Sequence, residues 1–125
     1  VSARRCPCGS SETFEACCGR YLGPDGAAPP TAEALMRSRY TAFVHHDVEH
    51  LLRTWHPRTR PATLELEPDT RWRGLEIVDR VAGGLFDTEG VVEFRAHHQD
   101  GAQHERSRFT RVDGRWVYLD GSVPR

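Results

Sequence analysis

The spacing of apolar residues along the chain changes period once. Leu35, Met36, Tyr40, Phe43 and Val44 recur at helical spacing behind a Thr31 N-cap, which predicts a helix over about 32–46. Asp47 can cap a second helix, with Val48, Leu51, Leu52 and Trp55 on one stripe and Pro57 as its stop. From Trp72 onward the period is two. Leu75–Val81, Val91–Ala96, Glu105–Val112 and Trp116–Leu119 read as strands, and Asp113-Gly114 is a two-residue hairpin signal. Residues 58–71, with Leu64 and Leu66, fit either a short helix or an extended segment. Helices followed by an antiparallel meander predict an α+β fold with the helices on one face of a curved sheet.

The N-terminal segment obeys neither period. Cys6, Cys8, Cys17 and Cys18 are the protein's four cysteines, and all fall within its first eighteen residues. Disulfides there would close only tiny loops and gain little chain entropy. Four thiolates at this spacing suit a tetrahedral zinc that folds a segment unable to fold alone. A reduced cluster, a vicinal Cys17–Cys18 disulfide and redox chemistry are the competing readings. Four protein ligands leave no open coordination position, so a zinc here would be structural. Gly/Pro/Ala-rich residues 21–30 read as a linker, giving a knuckle over 1–20 and a second domain over 31–125.

CPCGSSETFEACCG resembles the SEC-C zinc motif in its cysteines and in its C-P-C-G-S start. The usual motif has Gly where this chain has Ser11, and a basic stretch where it has Glu12-Thr13-Phe14-Glu15. LMRSRYTAF, TWHP, RWRGLEI, ERSRF and W-x-Y-x-D-G come next, in the order and spacing of the YchJ-like family of bacterial proteins. The resemblance spans essentially the whole chain. It implies a cystatin-like, or nuclear transport factor 2-like, cone behind the zinc knuckle, and it brings no settled activity.

Arg39 is the most informative position in the cone. It lies within the apolar stripe of the first helix, where a guanidinium must be paired or face a wet cavity. Three outcomes stand open: an ion pair with Glu93, Glu105 or Asp120, an anion-binding role with Arg37 as a second donor, or snorkelling to the surface. Tyr40, Trp55, Trp116 and Tyr118 are candidate walls of a ligand pocket, against the plainer reading that they are core. On the fourth strand Asp120 comes after Trp116 and Tyr118 along one face. His56 with Asp120 or Glu93 is the acid/base pair to examine, although a histidine at a helix end is more often a cap. Val92, Phe94 and Ala96 form the natural core face of the second strand, opposite Glu93, Arg95 and His97. His97, His98 and His104 flank a Gln-Asp-Gly turn, as a metal site or as a polar loop.

Composition narrows the function classes. Seventeen basic against eighteen acidic residues leave a net charge of −1, which removes the global electrostatic case for nucleic acid or an anionic membrane. All the basic residues are Arg, so no lysine is present for Schiff-base chemistry. No G-x-S-x-G, P-loop or G-x-G-x-x-G motif occurs. Residues 1–15 hold no apolar stretch of signal-peptide length, which points to the cytoplasm. The leading expectation is a non-enzymatic zinc protein that docks a protein partner. The alternative is a cone pocket that binds or turns over a small anionic metabolite through Arg39, His56 and Asp120. A homodimer through the sheet is a third expectation.

Overall fold

A computed structural model describes residues 4–124. The cysteine segment closes in a single 3-10 turn, Cys18–Arg20. Helix α1 (Ala32–His45) and the short α2 (Val48–Arg53) come next, then strands β1 (Trp72–Ala82), β2 (Glu89–His98), β3 (Gly101–Val112) and β4 (Arg115–Ser122). The strands form one antiparallel sheet in sequential order. This is the α+β arrangement that the periods predict, and it fits the nuclear transport factor 2-like cone that the resemblance implies.

Both helices start where their caps lie. Thr31 Oγ1 accepts the Ala34 amide at 3.0 Å and Asp47 accepts the His50 amide at 3.1 Å. α1 stops at His46, which is left-handed at φ 57°. Its first turn presses on the sheet at two glycines. A Cβ on Gly83 would lie 2.8 Å from the Ala32 methyl, and one on Gly90 only 3.1 Å from it. Asp113 and Gly114 both have positive φ, as the tight β3–β4 hairpin requires. The strands outrun their apolar cores because the ladder continues through the polar tips, with His98 opposite Gly101. Residues 58–71 form turns and irregular backbone.

The core lies between α1 and one face of the sheet. Ala32, Leu35, Met36 and Tyr40 meet Val92, Phe94, Ala96, Phe109 and Trp116 there, and all four cysteines belong to the same buried cluster. The segment read as a linker is anchored. Tyr21 is buried, Ala27 donates to the Arg20 carbonyl, and Trp116 Nε1 donates to the Pro30 carbonyl at 3.1 Å.

Two irregularities decide which charges face inward. In β1 the pairing passes from Ile77–Phe94 to Asp79–Glu93, which leaves Val78 as an extra, exposed residue. In β4 it passes from Phe109–Tyr118 to Arg108–Asp120, which leaves Leu119 extra. A bulge reverses the alternation of faces beyond it. Asp120 therefore leaves the face of Trp116 and Tyr118 and pairs with Arg108 on the outer side, correcting the strict period-two expectation.

Candidate functional site

The cysteine segment gathers four sulfurs close enough to share one ion. A β-bridge between Arg5 and Thr13 closes its first loop, with the Cys6 amide donating to the Glu12 carbonyl at 2.9 Å. Gly9 (φ 82°) and Ser11 (φ 74°) turn the knuckle. Ser11 occupies the position where the usual motif has Gly, and a left-handed serine costs roughly 1–2 kcal/mol relative to glycine. All four cysteines are buried and free of disulfides. Their sulfurs lie within 4.8 Å of one another, with Cys8–Cys17 at 3.6 Å and Cys17–Cys18 at 4.0 Å. A tetrahedral ion with metal–sulfur bonds of about 2.3 Å needs sulfur–sulfur separations of roughly 3.8 Å, so the quartet fits.

One of the four sulfurs, that of Cys8, already leans towards the charged form that a metal needs. The Cys18 thiol, hydrogen-bonded to Cys8, holds the Cys8 thiol down to about 4, with help from Ser10. That same contact and burial push Cys18 up, and burial pushes Cys17 up. Ser10 Oγ donates to Cys17 Sγ at 3.1 Å. The knuckle is fixed to α1. Arg37 Nη1 donates to the Cys8 carbonyl at 2.8 Å, Thr41 Oγ1 lies 3.7 Å from Cys6 Sγ, and the Phe14 ring packs on His45.

The opposite side of α1 lines a cavity of about 180 Å³ between the helices and the inner face of the sheet. Arg39 reaches it from the stripe where the sequence placed it. Its side chain is 4% exposed, and its Nη1 donates to the Leu51 carbonyl and to Thr54 Oγ1, each at 2.8 Å. The guanidinium also lies over the rings of Trp55 at 5.1 Å and Tyr118 at 4.7 Å. Burial pushes it down to about 10, so it remains a cation at neutral pH. Among the described residues no carboxylate comes within ion-pair distance of it. Among the described residues its Nε and Nη2 donate to no protein atom, and both keep some accessible surface on a side chain that lines the cavity.

Of the three carboxylates that Arg39 could have met, only Glu105 faces inward. Its Oε2 accepts from the Ser107 hydroxyl and from Tyr118 Oη at 3.1 Å. Burial first, then the Glu105 charge, pushes the Tyr118 phenol up. Glu93 and Asp120 lie outside, paired with Arg106 and Arg108. Tyr40, Trp55 and Tyr118 line the cavity as the sequence suggested, joined by Phe43, Trp72 and Phe94, which it did not single out. Trp116 does not line it. That residue is core, 1% exposed, with Arg111 stacked on it at 4.4 Å. His56 ends α2's connection by accepting the Arg58 amide at Nδ1, and neither it nor Asp120 lines the cavity. The structure therefore does not bring the His56–Asp120 pair to a common pocket.

The three hairpin histidines diverge. His97 meets Glu76, His98 packs on Trp72, and His104 bonds Glu93 at 2.6 Å. Among the described residues the four cysteines form the only cluster with metal-ligand geometry. One buried pair is invisible in the sequence: His50, 1% exposed, lies 2.9 Å from Ser38 Oγ through Nε2. Because the Ser38 hydroxyl donates to the Leu35 carbonyl, Nε2 carries the proton and Nδ1 accepts from Arg53. A serine whose proton is engaged this way is not a nucleophile. The i,i+12 spacing across a helix junction carries no signal. No helix among the described residues is long and apolar enough to cross a membrane.

Comparison with known proteins matches both halves. Residues 5–20 match the SEC-C motif, and residues 31–121 match the family described as YchJ, middle NTF2-like domain. A UPF0225 protein of Streptomyces coelicolor is 65% identical over 116 residues, covering 93% of each chain. One from Chromobacterium violaceum is 53% identical over 125 residues, covering 94% of this chain and 92% of the relative. The solution structure of a SEC-C motif containing protein from Rhodopseudomonas palustris superposes with a TM-score of 0.80 at 30% identity, over 96% of this chain and 98% of that one. A crystal structure of a sec-c motif containing protein from Psychrobacter arcticus gives 0.75 at 30% identity, over 96% and 82%. The sulfur quartet fits one metal ion and is fixed to the first helix of a cone over a four-stranded meander; with these matches, the chain belongs to the UPF0225 family, with a SEC-C motif and a YchJ-type NTF2-like domain.

Proposed function

We propose that this protein captures a small molecule with an anionic or strongly accepting group in the cone cavity, while zinc in the knuckle holds the helix that carries the anchor. One observation carries the reading. Arg39 is buried without a carboxylate at ion-pair distance among the described residues, and two of its donor nitrogens open on the cavity. Burying an unmatched ion costs several kcal/mol, and a ligand acceptor would offset that cost. A docking module without a ligand would be better served by an Arg39 locked on a buried acid. The sulfur-only donor set favours zinc, and with four protein ligands its role is structural. Four reduced thiols suit the cytoplasm.

The test is capture from a bacterial metabolite extract. Wild-type protein and Arg39→Met are incubated, washed and denatured, and the released small molecules are compared by mass spectrometry. A compound retained by wild type and absent from the variant is the expected result. Identical extracts from both would overturn the reading.

A further inference from the structure

The cavity that holds Arg39 also fixes the chemistry of what enters it. We infer that its ligand is a single-ring planar molecule that offers a hydrogen-bond acceptor to Arg39 and a hydrogen-bond donor to Glu105, rather than a multiply charged anion. This rests on the reading of the cavity as a binding site.

Two charged groups set the polarity. Arg39 has donors left over at Nε and Nη2, and Glu105 has an acceptor left over. Both hydroxyls that reach Glu105 bond the same oxygen, Oε2, so Oε1 accepts from no protein group among the described residues. Neither leftover group is sealed away from the cavity. A cation and a carboxylate in one small space largely cancel each other's field. A dianion drawn to Arg39 would thus meet repulsion from Glu105 in a low-dielectric surround. A ligand with an acceptor at one end and an N–H or O–H at the other satisfies both, and leaving either group dry is costly.

The walls set the shape. Trp72 is gripped edge-on by Tyr40 at 6.0 Å and by His98 at 5.7 Å, with Phe43 tilted against it at 6.1 Å. Across the cavity Trp55 and Tyr118 hold each other at 85°. Rings locked in this way give the cavity a preorganised aromatic lining, which favours a flat aromatic partner. The volume limits size: an apolar cavity of about 150 Å³ accommodates one benzene, and this cavity measures about 180 Å³. One ring with two small polar substituents is the matching scale.

The experiment uses four probes on the zinc-loaded full chain: benzoate (acceptor only), aniline (donor only), 4-aminobenzoate (both) and phthalate (two acids). Binding is read by quenching of tryptophan fluorescence and by NMR shifts of the Trp55 and Trp72 indole protons. 4-Aminobenzoate should bind at least about tenfold more tightly than benzoate or phthalate, a difference of about 1.4 kcal/mol, and Glu105→Gln should shrink that preference to under about threefold. The variant keeps an oxygen to accept from Ser107 and Tyr118, so the fold is retained. Phthalate or benzoate binding as tightly as 4-aminobenzoate, or a preference untouched in Glu105→Gln, would overturn the ligand class and leave the pocket reading standing. Indole protons unmoved by all four probes at about 10 mM, a concentration on the order of a weak fragment's Kd, would overturn the pocket reading too.

Discussion

On the outer face of the sheet, acids and bases are matched. Glu76 faces Arg95 and His97, Asp79 and Glu93 share Arg106, Glu93 also takes His104, and Asp120 holds Arg108. On the inner face Arg39 and Glu105 sit in one cavity without an ion pair and retain hydrogen-bonding capacity. Apart from the half-buried Glu93 and His104, the outer groups are well exposed, so their pairing contributes little and serves solubility and register. The inner groups are removed from water, where unsatisfied capacity is expensive. A fold that keeps such capacity in a cavity walled by aromatic rings has the physical form of a binding site.

The largest effect that would break this contrast comes from behind α1, which separates the sulfur quartet from the cavity. Cys17→Ser should reduce zinc from one ion per chain to near none by atomic absorption. It should also lower Tm by on the order of 10 °C and disturb the cavity, since Arg37 and Thr41 tie α1 to the knuckle. Unchanged zinc content would remove the metal site from the account.

A buried titratable group gives the next effect. Burial, with Arg53 nearby, holds His50 down to about 4, while Asp47 pulls weakly the other way. An unfolded histidine titrates near about 6.5, so below that pH the unfolded chain binds a proton that the folded chain refuses. Stability is therefore complete above about pH 6.5 and falls as pH drops towards 4, by on the order of 3 kcal/mol. Denaturant unfolding across that window measures it, and His50→Gln should flatten the slope there. An equal slope in the variant would assign the loss to the acids.

The two smallest effects sharpen the comparison directly. Arg39→Met should change stability by no more than about 1 kcal/mol, because the lost hydrogen bonds and the relieved desolvation offset one another, while capture of the small molecule disappears. A loss beyond about 3 kcal/mol in chemical unfolding would make the guanidinium a structural post. On the outer face, Asp120→Asn should leave Tm within assay error and capture intact. A marked Tm drop there would show that the outer pairs do more than solvate the sheet.

The fold was largely legible because periods survive without tertiary knowledge. Thr31, Asp47 and Asp113-Gly114 sit where their local chemistry places them, and Val92, Phe94 and Ala96 face the core as alternation requires. The cysteine spacing alone pointed to one ion, and Arg39 stood out as a charge in an apolar stripe. Asp120 misled for a definite reason. Alternation from Tyr118 points it inward, and one extra residue, Leu119, reverses it. A bulge has no composition of its own, so the pairing partner must be seen. Ser11 shows the reverse case, where departure from the motif's glycine becomes meaningful only when its φ of 74° is known.

By itself, the sequence determined the features that near neighbours create: helix caps, strand alternation, a tight hairpin and four sulfurs close enough in the chain to share an ion. These depend on contacts within a few residues, so the order of amino acids is enough. Only the tertiary structure decided which acid meets which arginine. Alternation alone turns Glu93 away from the core face of its strand, but only the assembled sheet shows that the Leu119 bulge sends Asp120 out to solvent and that Glu105 stays beside the cavity of Arg39. Register is a property of paired strands, and that is why the chemistry of the cavity emerged only when the sheet was assembled.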